Sequence, residues 1–530
     1  MTLARAHERS RAAAGKRRPA RNTADMSALA RGGALNAVGI VINVLTGFLF
    51  AVVLARALGA QGAGSFFEAV AVFTILWALA QFGAGTGLIR MVSRSMALGR
   101  VRDVRPLIRV GTLPVLAFSS LLALLLFAFA PQLTDLLITG TRSSGGVDLR
   151  ILALFLPIAV GTSVALAATR GLGAMLPFVV IERVGPSAMR VPLAIIALLA
   201  GFGATGFIVL WAAPFVLAFA AAWVWLILLV RRAEHGATYT RPSGRDIREL
   251  AAEFWRFSAY RGVAALLQVN VRWLDVLLVG ALASTRQAGI YAAASRVLGA
   301  GSFAIQAVLV VIGPQVSALL ARGERDRVQA VYQVSSTWLV VLSFPVYLSI
   351  AAFAPFVLGI FGSEFKKGTT ALVILCGAML IDMAAGAVTT VLLMAGKSSF
   401  VLWNSAATLA TNVCLNVLLV PSFGMTGAAV AWAASIVVQN VAPLIQVWLS
   451  LGLHPLSAGL SLAVAASALC YGGLGVAFRF WLGTSVQGFV AFVLSATMLY
   501  VMVLYAARRP LELDVAWRSL GRRPSVRLST

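Results

Sequence analysis

One apolar stretch carries the densest set of side chains able to do chemistry. Arg261, Gln268, Arg272 and Asp275 are spaced by 7, 4 and 3 residues, so at about 100° per residue they share one helix face. Ionisable groups within a membrane-length apolar stretch are costly, and they face a bundle interior or a cavity. Arg272 and Asp275 are spaced to pair along the helix, leaving Arg261 and part of Arg272 to hold an anion by charge-assisted hydrogen bonds. The same stripe also fits an internal ion pair that fastens the helix to its neighbours. A second stripe, Arg183, Ser187 and Arg190, follows Glu182. A third is polar and uncharged: Asn404, Thr408 and Thr411, extended by Asn412 and Asn416, and it suits either sugar hydroxyls or hydrogen bonds between packed helices. Arg296 and Asp382 stand alone in apolar surroundings as single buried charges, each a candidate to line a cavity; Asp382 is alternatively a candidate carrier of a coupling proton or cation.

Other chemistries are excluded. His7, His235 and His454 are scattered, and Cys376, Cys414 and Cys470 lie in separate apolar runs without a CxxC pair, so neither a metal site nor a disulfide framework is expected. Gly201-Phe202-Gly203-Ala204-Thr205-Gly206 matches GxGxxG by letter, but no strand precedes it. Gly396-Lys397-Ser398 resembles the end of a phosphate loop, with Val391 where the first glycine belongs. No cofactor and no ATP site are expected. The longest loop on the outer side, about 131 to 149, offers only Asp135 and Asp148, too little for an enzyme working on that face.

The elements that position these residues follow from composition. The chain has 530 residues, 60% hydrophobic and 12% charged, with a mean hydropathy of +0.92, and apolar runs of about 20 residues recur, enough to cross roughly 30 Å of hydrocarbon. An all-α polytopic membrane protein is expected, with about fourteen spans near 34–55, 65–88, 107–130, 150–169, 177–200, 205–230, 257–281, 288–313, 330–354, 369–394, 399–420, 426–450, 457–478 and 485–506. The net charge of +25 would suggest nucleic acid in a soluble protein, but here the basic residues cluster at the ends of apolar runs. With a cytoplasmic amino terminus, 31 basic residues fall on the cytoplasmic side, 7 on the other and 5 within helices, which predicts both termini inside. Nucleic acid is not an expected partner.

A shift of 221 residues places Phe202-Gly203-Ala204-Thr205-Gly206 on Phe423-Gly424-Met425-Thr426-Gly427, and Trp211-Ala212-Ala213 on Trp432-Ala433-Ala434. Near that offset, the segment from Ala57 to Gly64 opposes that from Ala281 to Gly289. Two six-helix lobes in parallel repeat plus two C-terminal helices are therefore expected. The corresponding units are a basic tail 1–33, an N-terminal lobe 34–230, a cytoplasmic linker 231–256, a C-terminal lobe 257–450, two further helices over 451–507 and a basic tail 508–530. Under the shift, Arg183, Ser187 and Arg190 map to Asn404, Thr408 and Thr411, one place cationic and the other neutral. Asn36, Gly39, Asn43 and Gly47 line one side of the first helix and read as packing. Arg90 and Arg94 read as cytoplasmic charges.

Leu54-Ala55-Arg56-Ala57-Leu58-Gly59, Gly62 to Phe67, Gln81-Phe82-Gly83, Arg272-Trp273-Leu274-Asp275, Ala288 to Ala294 and Leu393 to Lys397 resemble the multidrug, oligosaccharidyl-lipid and polysaccharide exporter superfamily, and within it the bacterial polysaccharide flippases. The resemblance covers about 34–506. It implies two lobes rocking around a central cavity in the bacterial inner membrane, and transfer of a polyprenyl-pyrophosphate-linked oligosaccharide from the inner to the outer leaflet. The implied partners are that lipid-linked oligosaccharide, membrane lipids, glycosyltransferases and a polysaccharide polymerase. Arg183, Arg190, Arg261 and Arg272 would take the pyrophosphate, Asp275 would orient Arg272, and Gln268 and Asn404 would touch sugar. Rivals are a peptidoglycan-precursor flippase, whose substrate is also a pyrophosphate, and a cation-coupled drug exporter. The latter fits less well, because five intramembrane arginines outnumber the carboxylates Glu182, Asp275 and Asp382.

Overall fold

The computed structural model describes residues 19–137, 145–235, 247–301, 312–313 and 315–508, with the side chains of 19–37, 264, 272 and 300 left undescribed. Helix α1 is Pro19–Gln81, α2 Ala84–Ala97, α3 Val104–Leu137 and α4 Gly145–Gly171. A π-helical stretch, Phe178–Val184, leads into α5, Gly185–Leu199; α6 is Ala204–Ala212, α7 Pro214–His235, α8 Ile247–Leu282 and α9 Thr285–Val297. Then come α10 Arg325–Ala352, α11 Ala354–Gly359, a 3-10 turn Ser363–Gly368, α12 Thr369–Ala385, α13 Val388–Met394 and α14 Ser398–Leu451. The chain ends on α15 Ala458–Ser467, α16 Leu474–Leu482 and α17 Val486–Ala506.

The all-α, multi-pass character holds, but the expected fourteen spans do not. Among the described residues nine helices are long and apolar enough to cross a membrane, and up to ten when the bent pair Ile247–Val271 and Trp273–Leu282 counts as one. Polar residues and glycines mark the expected ends of the spans, and several of these breaks do not end a helix. The window 34–55 and most of 65–88 share α1, interrupted only where Gly59 takes φ 64° and ψ −174°, while the end of 65–88 runs into α2. The windows 399–420 and 426–450 share α14, interrupted at Gly424 with φ 56° and ψ −137°. The window 177–200 divides into the π-helical stretch and α5, each short of a span, and much of 288–313 lies outside the described residues. The described helices therefore do not separate into two sets of six. The expected linker 231–256 is helical at both ends, to His235 and from Ile247; its centre, like residues 1–18 and 509–530, is outside the described residues.

Packing follows a membrane protein's needs. Helix α4 is the central one: Leu149, Leu152, Leu156, Ala159 and the run from Val164 to Ala168 are all buried, and small side chains there let neighbouring backbones approach. Leu494, Met498, Phe480 and Trp481 are exposed on the last two helices, which suits contact with lipid tails. The two glycine-bearing segments that the sequence aligns meet face to face. A Cβ on Gly64 would overlap the carbonyl oxygen of Thr285, and one on Gly289 would overlap that of Ala60.

Candidate functional site

A cavity of about 400 Å³ opens among α1, α4, the π-helical stretch and α5 to α9, within the size range of small-molecule pockets. The π-helical stretch carries Glu182 and Arg183 onto its wall, and α5 adds Ser187 and Arg190. The expected face of 183, 187 and 190 is thus one face in the structure. Helix α1 presses against it. A Cβ on Gly39 would lie 3.1 Å from Val179 and 3.2 Å from Arg183 Cβ, and Asn43 Nδ2 donates to Ser187 Oγ at 2.6 Å and to the Arg183 carbonyl at 3.3 Å. Asn43, read from sequence as a packing residue, therefore also lines the cavity.

Three arginines reach the cavity, and each lies against aromatic rings. Arg190 Cζ is 4.3 Å from the Trp211 ring centre and 5.2 Å from that of Phe215, with Nε donating to the Trp211 carbonyl at 3.3 Å. Arg183 Cζ is 5.4 Å from Phe178, and its Nε is buried with no protein acceptor. Arg296, from α9, lies 4.3 Å from Trp273 and 5.2 Å from Phe67. Ring faces hold a guanidinium by cation–π attraction without neutralising it, so the N–H groups keep their capacity to bind an anion. Three guanidiniums against the single carboxylate Glu182 leave the cavity wall cationic. Thr46, Thr74, Thr162 and Ser163 add hydroxyls.

The remaining sequence candidates go elsewhere. On α8, Arg261 and Gln268 are exposed and are not on the cavity wall; the side chain of Arg272 is outside the described residues. Asp275 is buried, accepting from Tyr291 Oη at 3.0 Å and from Asn416 Nδ2 at 3.0 Å, so it ties α8 to α9 and α14. Asn404 exchanges two amide hydrogen bonds with Gln446, 2.8 and 2.9 Å, across the fold made at Gly424. Asp382 Oδ1 accepts from Asn440 Nδ2 at 2.8 Å. Among the described residues no group of three or more His, Cys, Asp or Glu is arranged to hold a metal.

Arg296, which the sequence offers as a lone intramembrane charge able to line a cavity, lies on the cavity wall, and one residue escapes the sequence reading altogether. Glu68 went uncounted among the intramembrane carboxylates, although it stands inside an apolar run and is fully buried; a count of every charge within the windows would have found it.

At one end of the molecule Glu364 accepts from Arg286 and from the Ala60 amide at 3.4 Å, while Arg56 Nε donates to the Ile360 carbonyl at 2.8 Å. At the other end Arg94 pairs with Glu253 at 2.8 Å and Arg90 covers the Phe257 ring at 4.1 Å. The cavity lies between these two sets of contacts.

The chain is 30% identical over 202 residues to the Haloferax volcanii protein named "Probable low-salt glycan biosynthesis flippase Agl15", a match covering 38% of this chain and 42% of that relative. The chain thus spans less than half the length of the curated relative it matches. Among solved structures, lipid II flippase MurJ in an inward closed conformation superposes with a TM-score of 0.68 at 10% identity, over 92% of this chain and 99% of that one. An inward-facing multidrug resistance MATE family transporter gives 0.62 at 14% identity, over 78% and 98%. The fold is therefore that of the multidrug, oligosaccharidyl-lipid and polysaccharide exporter superfamily. Residues 29–320 match the family described as polysaccharide biosynthesis protein, more than half of the chain, and the chain belongs to that family.

Proposed function

We propose that the protein is an alternating-access flippase that carries a polyprenyl-pyrophosphate-linked oligosaccharide from the inner to the outer leaflet of a bacterial cell membrane, for cell-surface polysaccharide biosynthesis. The observation that carries this reading is the trio Arg183, Arg190 and Arg296 on one cavity wall, with Arg183 Nε buried and unpartnered. A pyrophosphate is too highly charged to cross hydrocarbon unaided, and pre-placed guanidiniums replace its lost hydration with charge-assisted bonds. The hydroxyl-lined wall suits the first sugar, while the lipid tail stays in the bilayer. Arg261 and Gln268, exposed on α8 away from the cavity wall, belong to the proposal as residues that meet the glycan beyond the cavity; Asp275 and Asn404 act as ties between helices. Both termini are cytoplasmic in this reading, which puts the Arg94 end inside and the Arg286 end outside. Glycosyltransferases and a polymerase would supply and consume the substrate.

The test is leaflet transfer in liposomes, using a polyprenyl-pyrophosphate oligosaccharide labelled on its sugar and a membrane-impermeant quencher. Transfer above protein-free liposomes that falls at least about tenfold in Arg190→Ala is expected, the loss of one charge-assisted contact. Absence of transfer for every lipid-linked glycan tried, under an imposed potential or ion gradient, overturns the reading.

A further inference from the structure

Arg170 lies one residue before the end of α4 and is not on the cavity wall. The end of α4 is pinned to α2: Ser93 Oγ donates to the Gly171 carbonyl at 3.0 Å, and a Cβ on Gly171 would lie 2.8 Å from Val92 Cβ. Arg170 is thereby held at the Arg94 end of the molecule. From there its guanidinium covers the π-helical stretch, with Cζ 4.0 Å from the centre of the Phe178 ring. Arg183 meets the same ring at 5.4 Å.

The π-helical winding is what brings the two cations to one ring. It bonds residue i to residue i+5, so Phe178 and Arg183 fall on one face of the stretch; in an α-helix the same spacing would turn them about 140° apart. Nε of both arginines is buried with no protein acceptor, an arrangement that is expensive unless an acceptor from outside the protein completes it. Glu182 is the carboxylate whose charge acts on both guanidiniums, and one carboxylate between two cations leaves a positive charge over. The ring holds both guanidiniums in place without neutralising either.

We propose that Arg170 and Arg183 form a clamp, with Phe178 as its platform, that takes one phosphoryl group of a diphosphate while Arg190 and Arg296 take the other, so that the site selects a diphosphate over a monophosphate. Each phosphoryl group brings its own charge and its own acceptor oxygens, and each needs donors of its own once it leaves water. A monophosphate is satisfied by the cavity arginines, and Arg170 adds nothing to it. A diphosphate presents a second anionic centre, and Arg183, the cavity arginine that shares a ring with Arg170, passes that centre to the clamp. The proposal rests on the flippase reading and names what distinguishes its headgroup; it makes Arg170 a specificity-determining residue outside the cavity wall.

Binding of geranyl diphosphate and geranyl monophosphate to the full-length protein in nanodiscs, measured by calorimetry against empty nanodiscs, reads the selectivity. The parent is expected to bind the diphosphate more tightly by about tenfold or more, the worth of one further charge-assisted contact. Arg170→Gln should remove about tenfold from the diphosphate and leave the monophosphate within about twofold. Arg170→Lys keeps the charge and loses the planar fork; it should fall between the two, and it carries the same test where Arg170→Gln does not fold. Arg100→Gln, an exposed charge lost at the same end, should change neither ligand. An equal loss of both ligands in the Arg170 variants would make Arg170 a prop for the π-helical stretch, and an unchanged diphosphate affinity would make it idle; either result overturns the clamp and leaves the flippase reading standing. Equal affinity of the parent for the two ligands overturns the selectivity. A parent that binds neither overturns the anion-binding reading of the cavity, and the clamp with it.

Discussion

Arg190 Nε donates to the carbonyl of Trp211 while its guanidinium lies 4.3 Å from that residue's ring centre, so one residue of α6 fixes both the position and the tilt of a cavity cation. Arg190→Ala is expected to weaken pyrophosphate binding by about ten- to a hundredfold, the worth of a charge-assisted hydrogen bond. Arg190→Lys keeps the charge but loses the planar fork, and should fall between the two. Tryptophan fluorescence, with Trp211 as reporter, measures both.

Asn404 and Gln446 form a closed amide pair, so removing one partner strands the other. Asn404→Ala should cost about 1–3 kcal/mol of stability, and the double change Asn404→Leu with Gln446→Leu should recover most of it. Thermal unfolding in detergent follows the loss. Transport per folded molecule should stay near that of the parent; a collapse of transport at unchanged stability would instead put Asn404 against the sugar.

Asp275 joins three helices through Tyr291 and Asn416. Tyr291→Phe removes one donor and should lower stability by about 1–2 kcal/mol, whereas Asp275→Ala strands both partners and should cost more than either single-donor loss. Pyrophosphate binding by the folded fraction of Tyr291→Phe should match the parent, since neither residue is on the cavity wall.

The sequence made some of this legible and hid the rest for identifiable reasons. Arg183, Ser187 and Arg190 are readable because their spacing of 4 and 3 residues still brings them to one wall, although Arg183 lies in the π-helical stretch and the other two in α5. The α8 stripe was read with the same rule. There the helix bends by 49° between Ile247–Val271 and Trp273–Leu282, and a period computed for a straight helix does not carry a face across such a bend. Arg261 and Gln268 accordingly end exposed while Asp275 is buried. The span count went wrong at Gly59 and Gly424, because a glycine with positive φ reads in sequence as the end of an element whether or not helix continues on both sides. Arg296 was beyond any pattern, since a lone cation acquires a role only from the rings that tertiary packing brings to it.

The joint between the two glycine-bearing segments yields the last prediction. Gly64 has no space for a side chain, because its Cβ would fall on the Thr285 carbonyl, and that backbone oxygen cannot swing aside. Forcing extra carbons into such a contact costs about 1–3 kcal/mol or more, and separation of α1 from α9 relieves the clash. Gly64→Val should therefore shift the protein towards a form open at the Arg286 end, without disturbing the Arg94–Glu253 pair at the other. Ala288, fully buried on α9 in the closed joint, provides the readout as Ala288→Cys. Its labelling by a membrane-impermeant maleimide should rise by about tenfold or more when Gly64→Val is added, the factor that 1.4 kcal/mol produces. Equal labelling with and without Gly64→Val would mean that the joint absorbs the side chain by local distortion and does not open.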